Sequence, residues 1–185
     1  MGQGGVSPSL SLTGANGQRL RNVEITRWMN GPVQIVSLFR HQGLPEAAKL
    51  DLQQPLHVYD LKARQDLGQQ QAVSLTLTPH RAMFYALSPQ PLTAVELKAS
   101  PTVSPGSLQR VTVTASLPEG QQAVKVQVKL PDGSAADWVD TVVVADKQGV
   151  VVDVPVALND PRGTWTVDAT ELYTGTTATV PFGVR

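Results

Sequence analysis

The chain has 185 residues, a length that suits one or two domains, and its fifteen basic residues balance its fifteen acidic ones. Without net charge it has no global field to attract nucleic acid or an anionic membrane surface. The absence of cysteine excludes a disulfide framework, a thiolate zinc site and a cysteine nucleophile. Only 16% of the residues are charged, against about 25% in an ordinary soluble domain, which favours a β-rich protein that is secreted or in the cell envelope.

The first five residues, Met1 to Gly5, are rich in glycine and lack the basic and apolar regions of a signal peptide. They are typical of a leader or a linker remnant, so we expect the chain to be a piece of a longer protein. In the residues that follow, apolar and polar side chains alternate with a period of two, which predicts β-strands. The best helical candidate, residues 44–52, is too short to organise a fold. No apolar run reaches the roughly 18 residues that a membrane span requires.

Residues 6–88 are predicted to form a small β-sandwich domain of six or seven strands. The Asn30-Gly31 pair predicts a type I′ hairpin turn between strands at 23–29 and 33–40, because such a turn needs positive φ at both central residues. The other strand candidates lie at residues 10–12, 56–59, 72–77 and 82–87.

Ser88-Pro89-Gln90-Pro91 is the predicted boundary, because two closely spaced prolines remove backbone donors and stiffen the chain. Residues 92–185 are predicted to form an immunoglobulin-like β-sandwich domain of about seven strands, separated by turns that contain glycine or proline. Within it, Val124, Val126 and Val128 alternate with lysine and glutamine, as in a half-buried strand. The predicted fold class is therefore all-β, with two consecutive β-sandwich domains.

The runs NVEITRWMNGPVQIVSLFR, LHVYDLKARQDLG and LTLTPHRAMFYAL resemble a C-terminal β-domain that follows the catalytic barrel in bacterial β-galactosidase-like glycoside hydrolases. The second half, ending in VALNDPRGTWTVDATELYTGTTATVPFGV, is similar to the immunoglobulin-like or macroglobulin-like module often appended to such chains. The resemblance covers about residues 20–185 and is one of domain style, without a catalytic motif. It implies a non-catalytic tail whose partner is the missing catalytic domain of the parent chain.

The sequence offers no arrangement of residues suited to catalysis or metal binding. Glycoside hydrolysis requires two carboxylates that flank one bond. The first half offers Glu24, Glu46, Asp51, Asp60 and Asp66 for such a pair. Glu24 alternates with apolar neighbours and points to solvent, so solvated surface residues are the favoured interpretation over a catalytic pair. His41, His57 and His80 lack the short spacing of a preformed pair of metal ligands. The aspartates of the second half lie in turns, where turn formation explains them without calcium. We therefore expect no enzyme activity, no cofactor and no metal site in this chain.

Apolar residues on the first-half strands are the candidates for a functional surface. Trp28 precedes the hairpin tip, and Val36, Leu38 and Tyr59 lie on strands that carry large apolar residues on both faces. A half-exposed strand of a free domain needs only one such face, so these four residues are predicted to lie on or beside a docking or carbohydrate-contact face. Internal packing is the alternative.

Three aromatic residues of the second half are predicted to differ in exposure. Trp138 and Tyr173 are candidates for exposed platforms that stack on sugars, whereas Trp165 is predicted to be the core tryptophan. Aromatic residues make up only 5% of the chain, which weakens the hypothesis of a true carbohydrate-binding module.

The sequence favours a non-catalytic accessory region of a larger carbohydrate-active, glycoside hydrolase-like protein, packing against or orienting its catalytic domain. The alternative is a cell-envelope or secreted spacer that presents edge strands to a protein partner. Carbohydrate is a further candidate ligand, whereas nucleic acid is not expected.

Overall fold

The computed structural model describes residues 10–117 and 119–185. This part of the chain contains fourteen strands and no helix, so the predicted all-β fold class is confirmed. It accordingly offers no helix that is long and apolar enough to cross a membrane. The chain divides into two compact units, Met1–Pro91 (unit 1) and Leu92–Arg185 (unit 2). The predicted leader, residues 1–5, lies outside the described residues.

Unit 1 is built from six strands that form one sheet. They are β1 (Leu10–Gly14), β2 (Val23–Asn30), β3 (Val33–Arg40), β4 (Glu46–Asp60), β5 (Gln65–Leu77) and β6 (Ala82–Ser88). The order is β1-β4-β6-β3-β2, and β5 also pairs with β4. The pairing of β4 with β5 becomes irregular between Asp51 and Leu56. The sheet curves around a single core, because that core contains residues of both β1 and β3, which are distant in the strand order.

Strand β4 contains the segment for which the sequence predicts a helical turn. Ala48, Leu50 and Leu52 are buried, whereas Lys49 between them is exposed. A spacing of two is the period of a strand with one buried face. The helical candidate at residues 44–52 is therefore wrong, because burial of alternate residues between β1 and β5 outweighs a weak local helix propensity.

The hairpin between β2 and β3 forms where the sequence predicts it, but with a different turn. Asn30 pairs with Val33, so the two-residue loop is Gly31-Pro32. Gly31 has a φ of 58°, whereas the proline ring holds φ near about −65°. A type I′ turn requires positive φ at both central residues, and the proline excludes it.

Unit 2 is built from eight strands in two sheets. They are β7 (Glu96–Ala99), β8 (Thr102–Val103), β9 (Leu108–Thr114), β10 (Gln122–Lys129), β11 (Ala135–Ala145), β12 (Val150–Pro155), β13 (Gly163–Glu171) and β14 (Thr177–Val184). The five-stranded sheet has the order β11-β10-β13-β14-β8, and the three-stranded sheet has the order β12-β9-β7. The strand added to the predicted seven is β8, whose two residues are too few to show alternation.

The two sheets of unit 2 enclose one core. Val111 of the smaller sheet and Val126 of the larger belong to the same cluster of buried residues. Trp165 is fully buried in it, with its ring 5.8 Å from that of Phe182. Its indole nitrogen donates to the carbonyl oxygen of Pro161 at 2.9 Å. The prediction that Trp165 is the core tryptophan is confirmed.

The outer side of the five-stranded sheet carries polar and charged residues on β10, β13 and β14. The three valines of β10 are buried as predicted, and the lysines between them form ion pairs, Lys125 with Asp140 at 3.3 Å and Lys129 with Asp168 at 2.8 Å. The hydroxyl of Thr179 also donates to Asp168, at 2.7 Å. Partial burial by itself raises the pKa of Asp168, but the hydrogen bonds from Lys129 and Thr179 and the charge of Lys129 hold it below its usual range.

Candidate functional site

Two of the predicted docking residues, Val36 and Leu38, lie in the core of unit 1. Both are completely buried on β3, where Val36 pairs with Tyr85 and Leu38 pairs with Met83 of β6. Cross-strand partners share a face of the sheet, and this is the face that encloses the core. The hypothesis that Val36 and Leu38 lie on a docking face is therefore wrong, because that face of β3 is covered by the unit's own strands.

The other two predicted docking residues differ in exposure. Tyr59 of β4 has no exposed surface, so it presents nothing to a partner or to a carbohydrate, and its place in the prediction is wrong. Trp28 of β2 is 48% exposed, and its role in docking stays a prediction. Trp28 pairs with Ile35, which places it on the opposite side of the sheet from Val36 and Leu38.

A second apolar surface of unit 1 lies on this opposite side. Trp28 pairs with Ile35, Phe39 lies on the same side of β3 as Ile35, and Phe84 of β6 pairs with Ser37. Trp28 and Phe84 are exposed, and Ile35 and Phe39 are half-buried. We call Trp28, Ile35, Phe39 and Phe84 the outward apolar face. The prediction that this sheet is apolar on both sides is confirmed. Of the four predicted docking residues only Trp28 is exposed, whereas Phe84 was not among them.

Polar groups border the outward apolar face. Nε2 of His41 lies 3.3 Å from Oε2 of Glu24, and both side chains are more than half exposed. The His41 ring stands edge-on to Phe39, with centroids 5.0 Å apart and an interplanar angle of 89°. An apolar centre with a polar, solvent-accessible rim is the usual anatomy of a protein interface.

Apart from the Glu24–His41 pair, the polar candidates are not grouped in the part of the chain that the structure describes. In the part of the chain that is described, no three His, Asp or Glu side chains are grouped so that they could hold a metal ion. His57 is half-buried and His80 is exposed. Asp132 and Asp146 each accept the amide two residues ahead, at 2.9 and 2.8 Å. Their interpretation as turn residues is confirmed.

Unit 2 has a shallow groove where β9 begins and β12 ends, with a volume of about 590 Å³. Trp138 of β11 and Leu108 of β9 are its large apolar residues, with 52% and 55% of their surfaces exposed. We call it the Trp138 groove. It is lined by Gly106, Ser107, Leu108, Trp138, Pro155, Val156, Ala157, Asn159 and Asp160.

The Trp138 ring is held in place from within unit 2. Its indole nitrogen donates to the carbonyl oxygen of Pro155 at 3.4 Å. Its ring also packs edge-on against the buried Trp165, with centroids 6.2 Å apart. The prediction that Trp138 is exposed is confirmed, whereas Tyr173, the other candidate platform of this half, is half-buried.

One buried carboxylate, that of Glu171, was not among the residues that the sequence predicted to be important. Glu171, the last residue of β13, has no exposed surface. It accepts the amides of Tyr173 and Thr174, both at 2.8 Å, and the hydroxyl of Thr174 at 2.9 Å. Burial raises the pKa of Glu171, although these hydrogen bonds oppose the shift. Tyr173 and Thr174 lie in the turn between β13 and β14, so the carboxylate holds this turn and has a structural role.

Comparisons with known proteins identify no family. No family model matches the chain, and no curated protein matches it. One solved structure to which it is similar is Arthrobacter globiformis T6 isomalto-dextranase complexed with panose, at 15% identity and a TM-score of 0.33. The match covers 92% of this chain and 33% of that one, so the chain spans about a third of its length. A likeness of this size carries no argument about function.

Proposed function

We propose that the chain is a non-catalytic accessory region of a larger carbohydrate-active, glycoside hydrolase-like protein, and that it packs against the catalytic domain of that protein. The observation that carries the proposal is the outward apolar face of unit 1. Where one side of an antiparallel sheet meets solvent, its residues are normally polar. Here the solvent-exposed part of that side contains Trp28 and Phe84, which are 48% and 36% exposed beside Ile35 and Phe39. Exposed apolar clusters with a polar rim mark surfaces that a partner covers.

Trp28 is the anchor of this proposed interface. It projects from β2, the edge strand of the sheet, and is the most exposed member of the face. Interfaces obtain most of their binding energy from a few aromatic anchors, and truncating one typically costs at least about 2 kcal/mol.

We further propose that unit 2 is an immunoglobulin-like sandwich that serves as an appended module of the accessory region. Its strand partition supports this. In chain order, the first, third and sixth strands form the smaller sheet, while the fourth, fifth, seventh and eighth belong to the larger. Apart from the two-residue β8, this is the A, B, E and C, C′, F, G partition of immunoglobulin-type sandwiches.

The test is calorimetric titration of the full chain with the separately expressed catalytic domain of the parent protein. Trp28→Ser is expected to weaken binding by more than tenfold, since about 2 kcal/mol corresponds to that factor. Trp138→Ser is the matched control, because Trp138 is equally exposed but belongs to unit 2. Equal affinities for wild type and Trp28→Ser would overturn the interface. A parent protein without a catalytic domain would overturn the accessory role.

A second candidate function is a cell-envelope or secreted spacer that pairs with a protein partner through an edge strand. Strand β11 lies at the edge of the five-stranded sheet, with Val142 and Val144 both more than half exposed. Such an edge can receive a strand from another chain. A charged residue on the edge discourages strand addition, so partner binding that Val142→Lys abolishes and Trp28→Ser leaves intact would favour the spacer.

A further inference from the structure

The Trp138 groove presents a flat aromatic surface that the core of unit 2 does not use. About half of the Trp138 side chain is exposed, although Trp165 directly beneath it is completely buried. The hydrogen bond to Pro155 and the contact with Trp165 fix the plane of the exposed ring. A ring that is held before binding loses little conformational entropy when a ligand stacks on it.

Hydrogen-bonding groups surround this ring. The side chains of Ser107 and Asn159 both line the groove and bond no other residue in the described part of the chain. One carboxylate oxygen of Asp160 accepts the amide of Ala157 at 2.7 Å, and the other carboxylate oxygen is left for a ligand. The groove thus combines one apolar platform with hydroxyl, amide and carboxylate groups, the combination by which small-molecule sites fix orientation.

The charge of the groove narrows the class of ligand. Its lining includes the carboxylate of Asp160 and no lysine or arginine, so nothing there attracts a phosphate, a uronic acid or an acidic peptide. The volume of about 590 Å³ falls within the range of about 300–1,000 Å³ that is typical of small-molecule sites.

Strand addition by a peptide is disfavoured at this position. Pro155 ends β12 beside the ring, and proline has no N–H to donate to an added strand. A pyranose ring does not depend on backbone hydrogen bonds from a neighbouring strand. Its apolar C–H face stacks on an indole, and its hydroxyl groups form hydrogen bonds with the polar groups around the groove.

We propose that the Trp138 groove binds a neutral oligosaccharide, with one pyranose ring stacked on Trp138 and its hydroxyl groups bonded to Ser107, Asn159 and Asp160. This goes beyond the accessory role, since it concerns unit 2 alone and does not depend on the outward apolar face.

The test follows the indole N–H resonances of the ¹⁵N-labelled full chain. The three tryptophans give separate signals, assigned by replacing each in turn with phenylalanine. The probes are cellotetraose, maltotetraose, xylotetraose and β-1,4-galactotetraose, each titrated to millimolar concentration, where weak binding is still detected. At least one probe is expected to shift the Trp138 signal progressively to saturation and to leave the Trp28 signal in place.

Variants separate stacking from a general effect on the fold. Trp138→Ala is expected to weaken binding of the active probe by about tenfold, the loss of one aromatic contact of about 1.4 kcal/mol. Trp28→Ala removes an equally exposed tryptophan from unit 1 and is expected to leave the affinity unchanged. Asn159→Ala is expected to weaken it, by a smaller factor than Trp138→Ala.

Three results would overturn the proposal. The first is that no probe shifts the Trp138 signal at millimolar concentration, and the second is that the Trp28 signal shifts instead. The third is that the Trp138 signal moves with protein concentration alone, which would identify a second copy of the chain as the occupant. None of these results bears on the binding of a catalytic domain to unit 1, so the two proposals fail separately.

Discussion

Replacing Glu171 with alanine is expected to destabilise unit 2 by about 3 kcal/mol. The carboxylate accepts the amides of Tyr173 and Thr174, and alanine leaves both without that acceptor. An unsatisfied buried donor costs about 1–3 kcal/mol. Thr174 is buried, so we assign a cost of about 2 kcal/mol to its amide. Tyr173 is half-buried, so we assign about 1 kcal/mol to its amide.

Urea unfolding followed by the fluorescence of the buried Trp165 measures this loss. The control is Asp140→Ala, which removes an exposed carboxylate paired with Lys125. Exposed ion pairs contribute at most about 1 kcal/mol. If Glu171→Ala costs no more than the control, the carboxylate does not hold the turn, and the reasoning is refuted.

The buried carboxylate of Glu171 also makes the stability of unit 2 depend on pH. Burial raises the folded-state pKa of Glu171 above its ordinary value, 4.5, so the native state binds this proton more tightly than the unfolded state. The stability that follows is fully present below pH 4.5 and is lost as the pH rises through the folded-state pKa. Glu171→Gln does not titrate. The stability of the wild type relative to this variant is therefore expected to increase as the pH falls through that window, and a decrease would contradict the assignment.

Three further predictions concern other groups. Asp168→Asn is expected to lower the free energy of unfolding by up to about 1 kcal/mol at neutral pH. Because the folded-state pKa of Asp168 is lowered, the difference between variant and wild type disappears as the pH falls through that pKa. Urea unfolding of both proteins in strong acid measures the difference. Burial, with the charge of Asp60, raises the pKa of Tyr85 to about 12. The stability linked to Tyr85 is therefore present below pH 10 and lost as the pH rises through 12, whereas an absorbance midpoint at its ordinary value would contradict the burial. Expressed alone, residues 92–185 are expected to unfold cooperatively, because they contain their own core, and residues 1–91 are expected to be less stable; a non-cooperative melt of the former would contradict two independent units.

Strands with one buried face were predictable because alternation of apolar and polar residues records burial directly. The valines of β10 show this most clearly. The same logic fails for β8, which has two residues, and is obscured in β4, where Glu46, the adjoining alanines and Lys49 have good helix propensity. In β4, pairing with neighbours on both edges decides the structure, and a local pattern does not contain that information.

The sequence also contained the information needed to correct the docking prediction. In a hairpin with a two-residue loop, each even-numbered residue of one strand pairs with an odd-numbered residue of the other, as Asn30 does with Val33. Trp28 therefore shares a face with odd-numbered residues of β3, such as Ile35, and cannot share one with Val36. The loop predicted from Asn30-Gly31 also has two residues and pairs even with odd numbers in the same way. Either turn therefore places Trp28 on the side opposite Val36.

The Trp138 groove and the burial of Glu171 were beyond prediction from local patterns. The groove brings together the beginning of β9, the middle of β11 and the end of β12, segments that are far apart in the sequence. The amides whose hydrogen bonds Glu171 accepts are local, but its burial requires β10, where Val124 is its cross-strand neighbour. Both features depend on how the sheets of unit 2 assemble.

The long strand β4 is expected to set the order in which unit 1 folds. It joins β5 through a four-residue loop at residues 61–64, in which Asp60 accepts the amides of Lys62 and Ala63, both at 2.9 Å. This hairpin closes a short loop, at little entropic cost. Strands β1 and β6, from the two ends of the unit, then add to the remaining edge of β4. We therefore expect the β4–β5 hairpin to form first and the sheet to assemble on it, and the amides of β4 to exchange with solvent last.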